Sequence, residues 1–237
     1  MSNPALHSAV LDAVGRAVTS GDIAPGTPLT LEKIGTQHEV SRTVAREVMR
    51  LLEGLGLVRS RRRVGLVVLP MTEWNVLDPR VIRWRLAGPG RDDQLRTLTE
   101  LRHAVEPLAA AGAARHATPE ERAELVDLAA RMRVLGARGD LTEFLALDIR
   151  MHQLLLQASG NEMFGALAGV VAEVLTGRTH LGLMPAAPVP EALDQHEAVA
   201  HAVADGDAPA AEAAMAALVR EVRAALDAAT SHDGTSP

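Results

Sequence analysis

The pattern of apolar residues changes near residue 90, and this change limits the fold to two unlike parts. Before residue 70 the apolar runs are short, and glycines and prolines interrupt them. Beyond residue 90 they recur at helical spacing, which predicts helices at about 92–116, 119–136, 141–158, 162–182, 191–205 and 208–228. We predict an N-terminal domain over 1–70, a linker over 71–90, an all-helical domain over 91–229 and a disordered tail over 230–237.

The first seventy residues are predicted to form three helices and a β-hairpin. Helical periodicity covers about 5–20, a short helix is expected near 31–37, and a third helix follows Ser41, which suits an N-cap. Two β-rich runs, LVRS and GLVVLP, lie on either side of RRRV. This arrangement predicts a hairpin after the third helix.

Charge divides the chain in the same way. Residues 1–70 carry nine Lys/Arg against six Asp/Glu, whereas residues 71–237 carry fifteen against twenty-four. Residues 41–63 alone hold seven arginines and two glutamates, and arginine suits both phosphate and guanine. Aromatic residues make up only 2% of the chain, which argues against a single-strand binder that stacks bases. Double-stranded DNA is therefore the predicted partner.

The order of short helices, tight turn and basic third helix is that of a helix-turn-helix. The third helix would enter the major groove with Arg42, Thr43 and Arg46 on its early polar side. The arginines Arg61, Arg62 and Arg63 would form a wing that touches the DNA backbone or minor groove. The alternative is a helical hairpin with a solvated basic face, but the coincidence of turn, basic helix and basic hairpin favours DNA binding.

Residues 39–68, EVSRTVAREVMRLLEGLGLVRSRRRVGLVV, resemble the winged helix-turn-helix of GntR-type bacterial regulators. The preceding GDIAPGTPL matches that family's G-x-l-x-P-G-x-x-L, although Ala45 and Ile23-Ala24 depart from the usual residues. The resemblance implies a dimer on a palindromic operator. It implies DNA contacts from Ser41, Arg42, Thr43, Arg46, Arg61, Arg62, Arg63 and Gly65.

Asp148 and His152 stand one helical turn apart beside apolar residues in LALDIRMHQLL. They could form a buried hydrogen bond with each other, or they could bind zinc, manganese, nickel or iron together with a further ligand. A helical hairpin around DGD offers a candidate. Eleven residues before Asp207 is His196, and eleven residues after it is Leu218.

This pattern resembles the all-helical FCD effector domain of the FadR-like branch of the same family. That domain takes its metal ligands from Asp-x-x-x-His and from one histidine on each of its last two helices. Asp148, His152 and His196 match, as do ASGN and the GD turn, but Leu218 stands at the fourth ligand position. The resemblance implies a divalent metal ion, with zinc first and manganese or nickel as alternatives.

Arg102 falls in a matching R-x-x-x-E-x-x-A pattern, which implies an effector-binding role for it, and His180 is the second predicted effector-binding residue. The alternative for Arg102 is a salt bridge to Glu106 on the next turn. The segment WNVLDPRVIRW resembles the branch that regulates sugar-acid catabolism, and its two tryptophans are expected to pin the linker onto the helical domain.

The predicted fold is a winged helix-turn-helix, α-helical with a small β-hairpin wing, followed by an all-α FCD-type bundle. The predicted function is a homodimeric, ligand-responsive regulator, a repressor of a sugar-acid or related carboxylate operon that a small hydroxy-carboxylate such as galactonate releases from DNA. The alternatives are a metal-dependent enzyme of small hydroxy acids and a GntR regulator with a metal-free effector pocket.

The amino-acid composition excludes cysteine chemistry and argues against a secreted or membrane-spanning protein. The chain has no cysteine, which excludes disulfides, thiolate zinc sites and cysteine nucleophiles. Its first residues do not form a signal peptide, and no apolar run reaches the length of a membrane span. A cytoplasmic protein is expected.

Overall fold

The computed structural model describes residues 4–180 and 190–233, with side-chain surroundings for 6–180 and 190–220. The chain separates into two compact units, one that extends to Gln94 and one that starts at Leu95. Each unit has its own hydrophobic core.

The N-terminal unit is a small α/β fold. Its elements are α1 (Pro4–Thr19), β1 (Pro28–Leu29), α2 (Leu31–Gln37), α3 (Arg42–Gly54), β2 (Val58–Arg61), β3 (Gly65–Val68), a 3-10 turn (Met71–Glu73) and α4 (Pro79–Leu86). The strands form an antiparallel sheet of order β1-β3-β2, in which Leu66 faces both Leu29 and Ser60. The predicted helices and hairpin are confirmed. Strand β1 was not predicted, because two residues are too few to show the alternation of apolar and polar residues that marks a strand.

Helix α3 begins where its cap predicts. The Oγ of Ser41 accepts a hydrogen bond from the backbone N–H of Val44, which satisfies one of the free donors at the helix start. The apolar face of the helix, Val44, Val48 and Leu52, is buried against α1 and the sheet. The opposite face is therefore left to solvent.

The segment 71–90, expected as a linker, contains α4 and packs into the N-terminal core. Asp78 caps α4 by accepting the Arg80 N–H over 2.9 Å, and Pro79 occupies the first turn. Trp84 is buried against α1, and Trp74 is partly buried against the same core. The expectation that both tryptophans pack on the helical domain is wrong, because Trp84 packs on α1 and the indole N–H of Trp74 donates to the Leu69 carbonyl over 2.9 Å.

The second unit contains only helices among its described residues. These are α5 (Arg91–His116, which starts four residues before the boundary), α6 (Pro119–Arg138), α7 (Leu141–Gln157), α8 (Glu162–Ala166), α9 (Ala168–His180), α10 (Pro190–Asp205) and α11 (Ala208–Asp233). Buried alanines of α5 share a core with apolar residues of α6, α7, α10 and α11. A smaller cluster joins α9 to α5 and α7. The predicted all-helical fold of this part of the chain is confirmed for the described residues.

One predicted helix is divided. The segment 162–182 was expected to be continuous, but α8 ends at Ala166 and α9 begins at Ala168. The N–H of Leu167 bonds to the carbonyl of Phe164, a tight turn that closes α8, and nearby Gly165 has low helix propensity. Residues 181 and 182 lie outside the described residues.

Two further expectations concern the ends and length of helices. Residues 230–233 of the predicted disordered tail belong to α11, and 234–237 lie outside the description. No helix found in residues 4–180 and 190–233 combines the length and apolarity that crossing a membrane requires.

Candidate functional sites

Helix α3 and the β2–β3 turn carry the predicted DNA-binding residues on the surface of the N-terminal unit. Arg42, Thr43 and Arg46 are exposed on α3, on the side opposite its buried valines. Arg61, Arg62, Arg63 and Gly65 are exposed in the segment that runs from the last residue of β2 to the first residue of β3, which we call the wing. Ser41 is also exposed, but its hydroxyl oxygen already serves as the helix cap.

Ion pairing divides the seven arginines of residues 41–63 into two groups. Arg50 pairs with Glu47 over 3.3 Å, and Arg59 pairs with Glu73. Within the described residues, the other five make no ion pair, and we call them the basic surface: Arg42, Arg46, Arg61, Arg62 and Arg63. No carboxylate of the described ranges forms an ion pair with these five side chains, so no such pair competes with phosphate or base edges for them.

The wing holds one arginine in an unusual backbone conformation. Arg63 has φ of 65°, in the left-handed region that costs a non-glycine residue roughly 1–2 kcal/mol. The turn is closed by a hydrogen bond from the Val64 N–H to the Arg61 carbonyl. Three consecutive arginines are therefore presented from a tight turn that keeps them in solvent.

A second group of polar residues lies inside the helical unit. Asp148 and His152 of α7 and His196 of α10 are all buried, and one ligand atom from each lies within 4.8 Å of the others. The Nε2 atoms of His196 and His152 approach the same oxygen, Asp148 Oδ1, over 3.1 and 3.3 Å. The structure thus brings together the three residues that the sequence predicted as metal ligands.

In this cluster, a nitrogen of neutral His196 and an oxygen of Asp148 face each other as two hydrogen-bond acceptors. Nδ1 of His196 lies 2.6 Å from the Ala192 carbonyl, which can only accept, so Nδ1 carries the proton. In the neutral imidazole Nε2 then carries a lone pair, and it faces a carboxylate oxygen that is also an acceptor. This contact between two acceptors becomes favourable if Nε2 is protonated or if both atoms bind a cation. One carboxylate and two imidazoles are a donor set that suits zinc and similar divalent ions, so the residues fit a metal.

Glu106 and Arg102 of α5 extend the cluster on the other side of His152. Arg102 donates from Nε to Glu106 Oε1 over 2.6 Å and from Nη2 to Oε2 over 3.2 Å. Nδ1 of His152 lies 2.8 Å from Glu106 Oε2, which is an ion-pair distance, but the contact does not have the geometry of a hydrogen bond. Arg102 and Glu106 are 1% and 2% exposed. The ion pair considered as an alternative for Arg102 is present.

Two nitrogens of Arg102 are engaged by Glu106, and the third is not. Nη1 is fully buried and has no hydrogen-bond partner in the described part of the chain. A buried guanidinium N–H without a partner is costly, and an acceptor atom of a ligand would satisfy it.

The charges of this cluster reinforce one another. Burial raises the pKa of Glu106, but the Arg102 guanidinium and His152 outweigh that effect and lower the pKa to about 2. Burial likewise raises the pKa of Asp148, yet hydrogen bonds from His152 and His196 in their protonated forms bring that pKa below its usual range. Burial lowers the pKa of His152, whereas Glu106 and Asp148 raise it to about 9. Both carboxylates are therefore ionised at neutral pH and attract positive charge to the histidines.

The remaining predicted positions lie outside this buried cluster. Leu218, at the expected fourth ligand position, is 3% exposed and belongs to the hydrophobic core. His180 ends α9 with an exposed side chain, so its contact with an effector stays a prediction. His201 on α10 is exposed, in agreement with its position five residues after His196.

Sequence reasoning missed the part that Glu106 plays in the cluster. It was considered only as a partner of Arg102, because the four-residue spacing indicates that contact and nothing more. Its contact with His152 joins α5 to α7 across 46 positions of the chain, and no local pattern marks it.

Comparisons with known proteins agree with both units. Residues 97–221 match the FCD domain family, and residues 6–68 match the family described as bacterial regulatory proteins, gntR family. The first match alone covers more than half of the chain.

Among the similar proteins are two regulators from Escherichia coli (strain K12). The chain is 29% identical over 214 residues to the galactonate operon transcriptional repressor, covering 89% of this chain and 92% of that one. It is 29% identical over 216 residues to the uncharacterized HTH-type transcriptional regulator YieP, covering 91% and 93%. The solved structure of Lar, which controls the expression of the Listeria monocytogenes agr system, is 16% identical with a TM-score of 0.57, covering 95% and 98%. That likeness shows the shared fold.

Proposed function

The chain belongs to the gntR family of bacterial regulatory proteins and carries an FCD domain. We propose that it is a homodimeric repressor whose binding to operator DNA is controlled by a small hydroxy-carboxylate. The family identifies a DNA-binding regulator and not an enzyme. The bacterial cytoplasm, where operators lie, is the proposed compartment. The observation that carries the effector part is the buried cluster, since it includes a guanidinium nitrogen, Arg102 Nη1, without a hydrogen-bond partner among the described residues.

DNA recognition is assigned to the basic surface. Arg42 and Arg46, with Thr43 between them, would face base edges in the major groove, as the early residues of a recognition helix do. Arg61, Arg62 and Arg63 would contact phosphates or the minor groove from the wing, close to Gly65. In a dimer this set occurs twice, which suits a palindromic operator.

Asp148, His152 and His196 would hold a divalent ion, with zinc as the first choice and manganese or nickel as alternatives. When bound, the ion would supply a Lewis-acidic position for carboxylate or hydroxyl oxygens. Three protein ligands leave coordination positions open for such oxygens. The chain itself contributes the tautomer of His196, fixed by the Ala192 carbonyl, and the exclusion of water by the surrounding core.

The effector would meet the chain at Arg102. Its Nη1 is buried and without a hydrogen-bond partner among the described residues, so it can donate to one oxygen of a carboxylate or hydroxyl. His180 is proposed as a second effector contact. A sugar acid is the proposed class because a relative with 29% identity is the repressor of a galactonate operon. Repression is relieved only if the effector binds more tightly to a state that does not fit the operator.

Operator binding in the presence of small acids tests this proposal. Fluorescence anisotropy with duplexes that tile the promoter of the protein's own gene should reveal one preferred sequence. D-galactonate, D-gluconate or L-lactate should then weaken that binding. Arg46→Ala should abolish the preference, whereas Arg131→Ala, an exposed arginine of α6, should not. Equal affinity for every duplex, with and without the acids, contradicts the proposed function.

Metal content is tested with two histidines of the same helix. His196→Ala should lose the zinc that copurifies with or is added to the wild-type protein, measured by plasma mass spectrometry. His201→Ala is the matched control, because this side chain is exposed on α10. Equal zinc content in both variants would remove the metal from the proposal and leave a regulator with a metal-free pocket.

A further inference from the structure

Glu106 lies between an arginine and a histidine in the interior of the helical unit. Its Oε1 accepts a hydrogen bond from Arg102 Nε over 2.6 Å, and its Oε2 lies 2.8 Å from Nδ1 of His152. The three side chains are each no more than 2% exposed. A buried carboxylate in this position needs a reason, since burying a charge is costly unless its partners compensate for it.

We propose that Glu106 is a positioning residue for the metal centre: its Oε2, 2.8 Å from Nδ1 of His152, would keep the ring proton on Nδ1 and thereby direct Nε2 of that ring toward Asp148 and His196. The inference rests on the metal centre of the proposed function. An imidazole that donates through one nitrogen presents the lone pair of the other, so the partner of Nδ1 selects the ligand atom. The geometry agrees, because His152 Nε2 lies 3.3 Å from Asp148 Oδ1.

The two histidines of the cluster are oriented by different partners. His196 contacts the neutral backbone carbonyl of Ala192 over 2.6 Å, whereas His152 contacts an ionised carboxylate. A carboxylate partner makes the imidazole a more basic ligand than a carbonyl does. His152 should therefore depend on its partner for metal affinity more than His196 does.

Arg102 fixes the position of the Glu106 carboxylate next to His152. Two parallel hydrogen bonds, from Nε and Nη2, hold the carboxylate oxygens in fixed positions. The guanidinium also compensates for the buried negative charge of the carboxylate that faces Nδ1 of His152. Arg102 thus supports the ligand indirectly through Glu106.

Zinc affinity of Glu106 variants of the full-length protein tests the assignment. Glu106→Ala removes both the charge and the acceptor and should weaken zinc binding by about 10–100-fold, as the loss of such outer partners does. Glu106→Gln keeps an acceptor oxygen without the charge and should lose less. Affinity is measured by competition with a chromophoric zinc chelator.

Glu124→Gln is the matched control. Glu124 forms the same two-bond pair with an arginine, accepting from Arg150 Nε and Nη2 over 2.6 and 2.9 Å, but far less buried and without a histidine partner. This variant should bind zinc like the wild type. If Glu106→Ala also does so, while the wild type binds zinc, the positioning role is refuted and the metal centre stands. A wild type that binds no zinc refutes both.

The ring of His152 offers a readout that general destabilisation does not produce. In the zinc-loaded wild type, long-range proton–nitrogen NMR spectra should show Nδ1 protonated and Nε2 bound to the metal. This measurement also decides the matter if the Glu106 variants fail to fold. A zinc-loaded His152 that is bound through Nδ1, or that lacks a proton there, overturns the assignment.

Discussion

The indole N–H of Trp84 in α4 donates a hydrogen bond to Oδ1 of Asp12 in α1 over 2.9 Å. This contact joins two residues separated by 72 positions and makes α4 part of the DNA-binding unit. The ring of Trp84 occupies the space over Gly15, where a β-carbon would come within 2.5 Å of it. The fit of α4 on α1 therefore depends on the absence of a side chain at residue 15.

Gly15→Ala should destabilise the N-terminal unit, although alanine is the better helix former. The added methyl group would displace the Trp84 ring, and overpacking of this kind costs about 1–3 kcal/mol. Thermal unfolding of the intact protein should show a lower melting temperature. Gly54→Ala in α3 is the control: nothing lies within 4 Å of its β-carbon position, so the substitution should be neutral or stabilising. An unchanged melting temperature for Gly15→Ala would contradict the close packing.

Arg62→Ala should reduce the salt dependence of operator binding. Each phosphate contact contributes about 0.9 to the slope of log affinity against log salt, so the loss of one contact per wing should reduce the slope by roughly 2 in a dimer. Arg50→Ala should have a smaller effect, because Glu47 already pairs with Arg50 over 3.3 Å. Anisotropy titrations at several salt concentrations measure both. Equal changes in slope would show that ion pairing does not divide the arginines as the structure suggests.

Arg102→Ala should destabilise the helical unit by about 3–5 kcal/mol, because it leaves the carboxylate of Glu106 buried without its guanidinium. The double variant with Arg102→Leu and Glu106→Leu removes both charges and should lose much less stability. Urea unfolding followed by circular dichroism compares the two. If the double variant is as unstable as Arg102→Ala, the cost comes from packing and not from an uncompensated charge.

Leu218→His should add the ligand that the family places at this position. The apoprotein should lose roughly 1–3 kcal/mol, since a polar ring replaces leucine in the core, while zinc should bind more tightly and restore stability. The measurements are chelator competition and the zinc-induced shift in melting temperature. Leu218→Asn controls for the buried polar group without offering a zinc ligand. A zinc affinity that matches the control would show that residue 218 does not reach the cluster.

Local spacing was enough to predict much of the fold and part of the site. The Ser41 cap and the apolar face of α3 specify where this helix begins and which side it buries, since both depend on residues a few positions apart. Asp148 and His152 share one side of α7 because four residues make about one helical turn. The turn before Asp207 makes α11 run back along α10, and this hairpin was enough to predict His196 as a metal ligand.

Only the tertiary structure decided which side chains meet across elements that are distant in the chain. The burial of Trp84 on α1, the pairing of Arg59 with Glu73 and the contact of Glu106 with His152 each depend on how two elements pack side by side. Helical periodicity gives the direction of a side chain around its own axis, but it does not give the neighbour that it faces. That neighbour is set by the packing of the whole core, which no local pattern encodes.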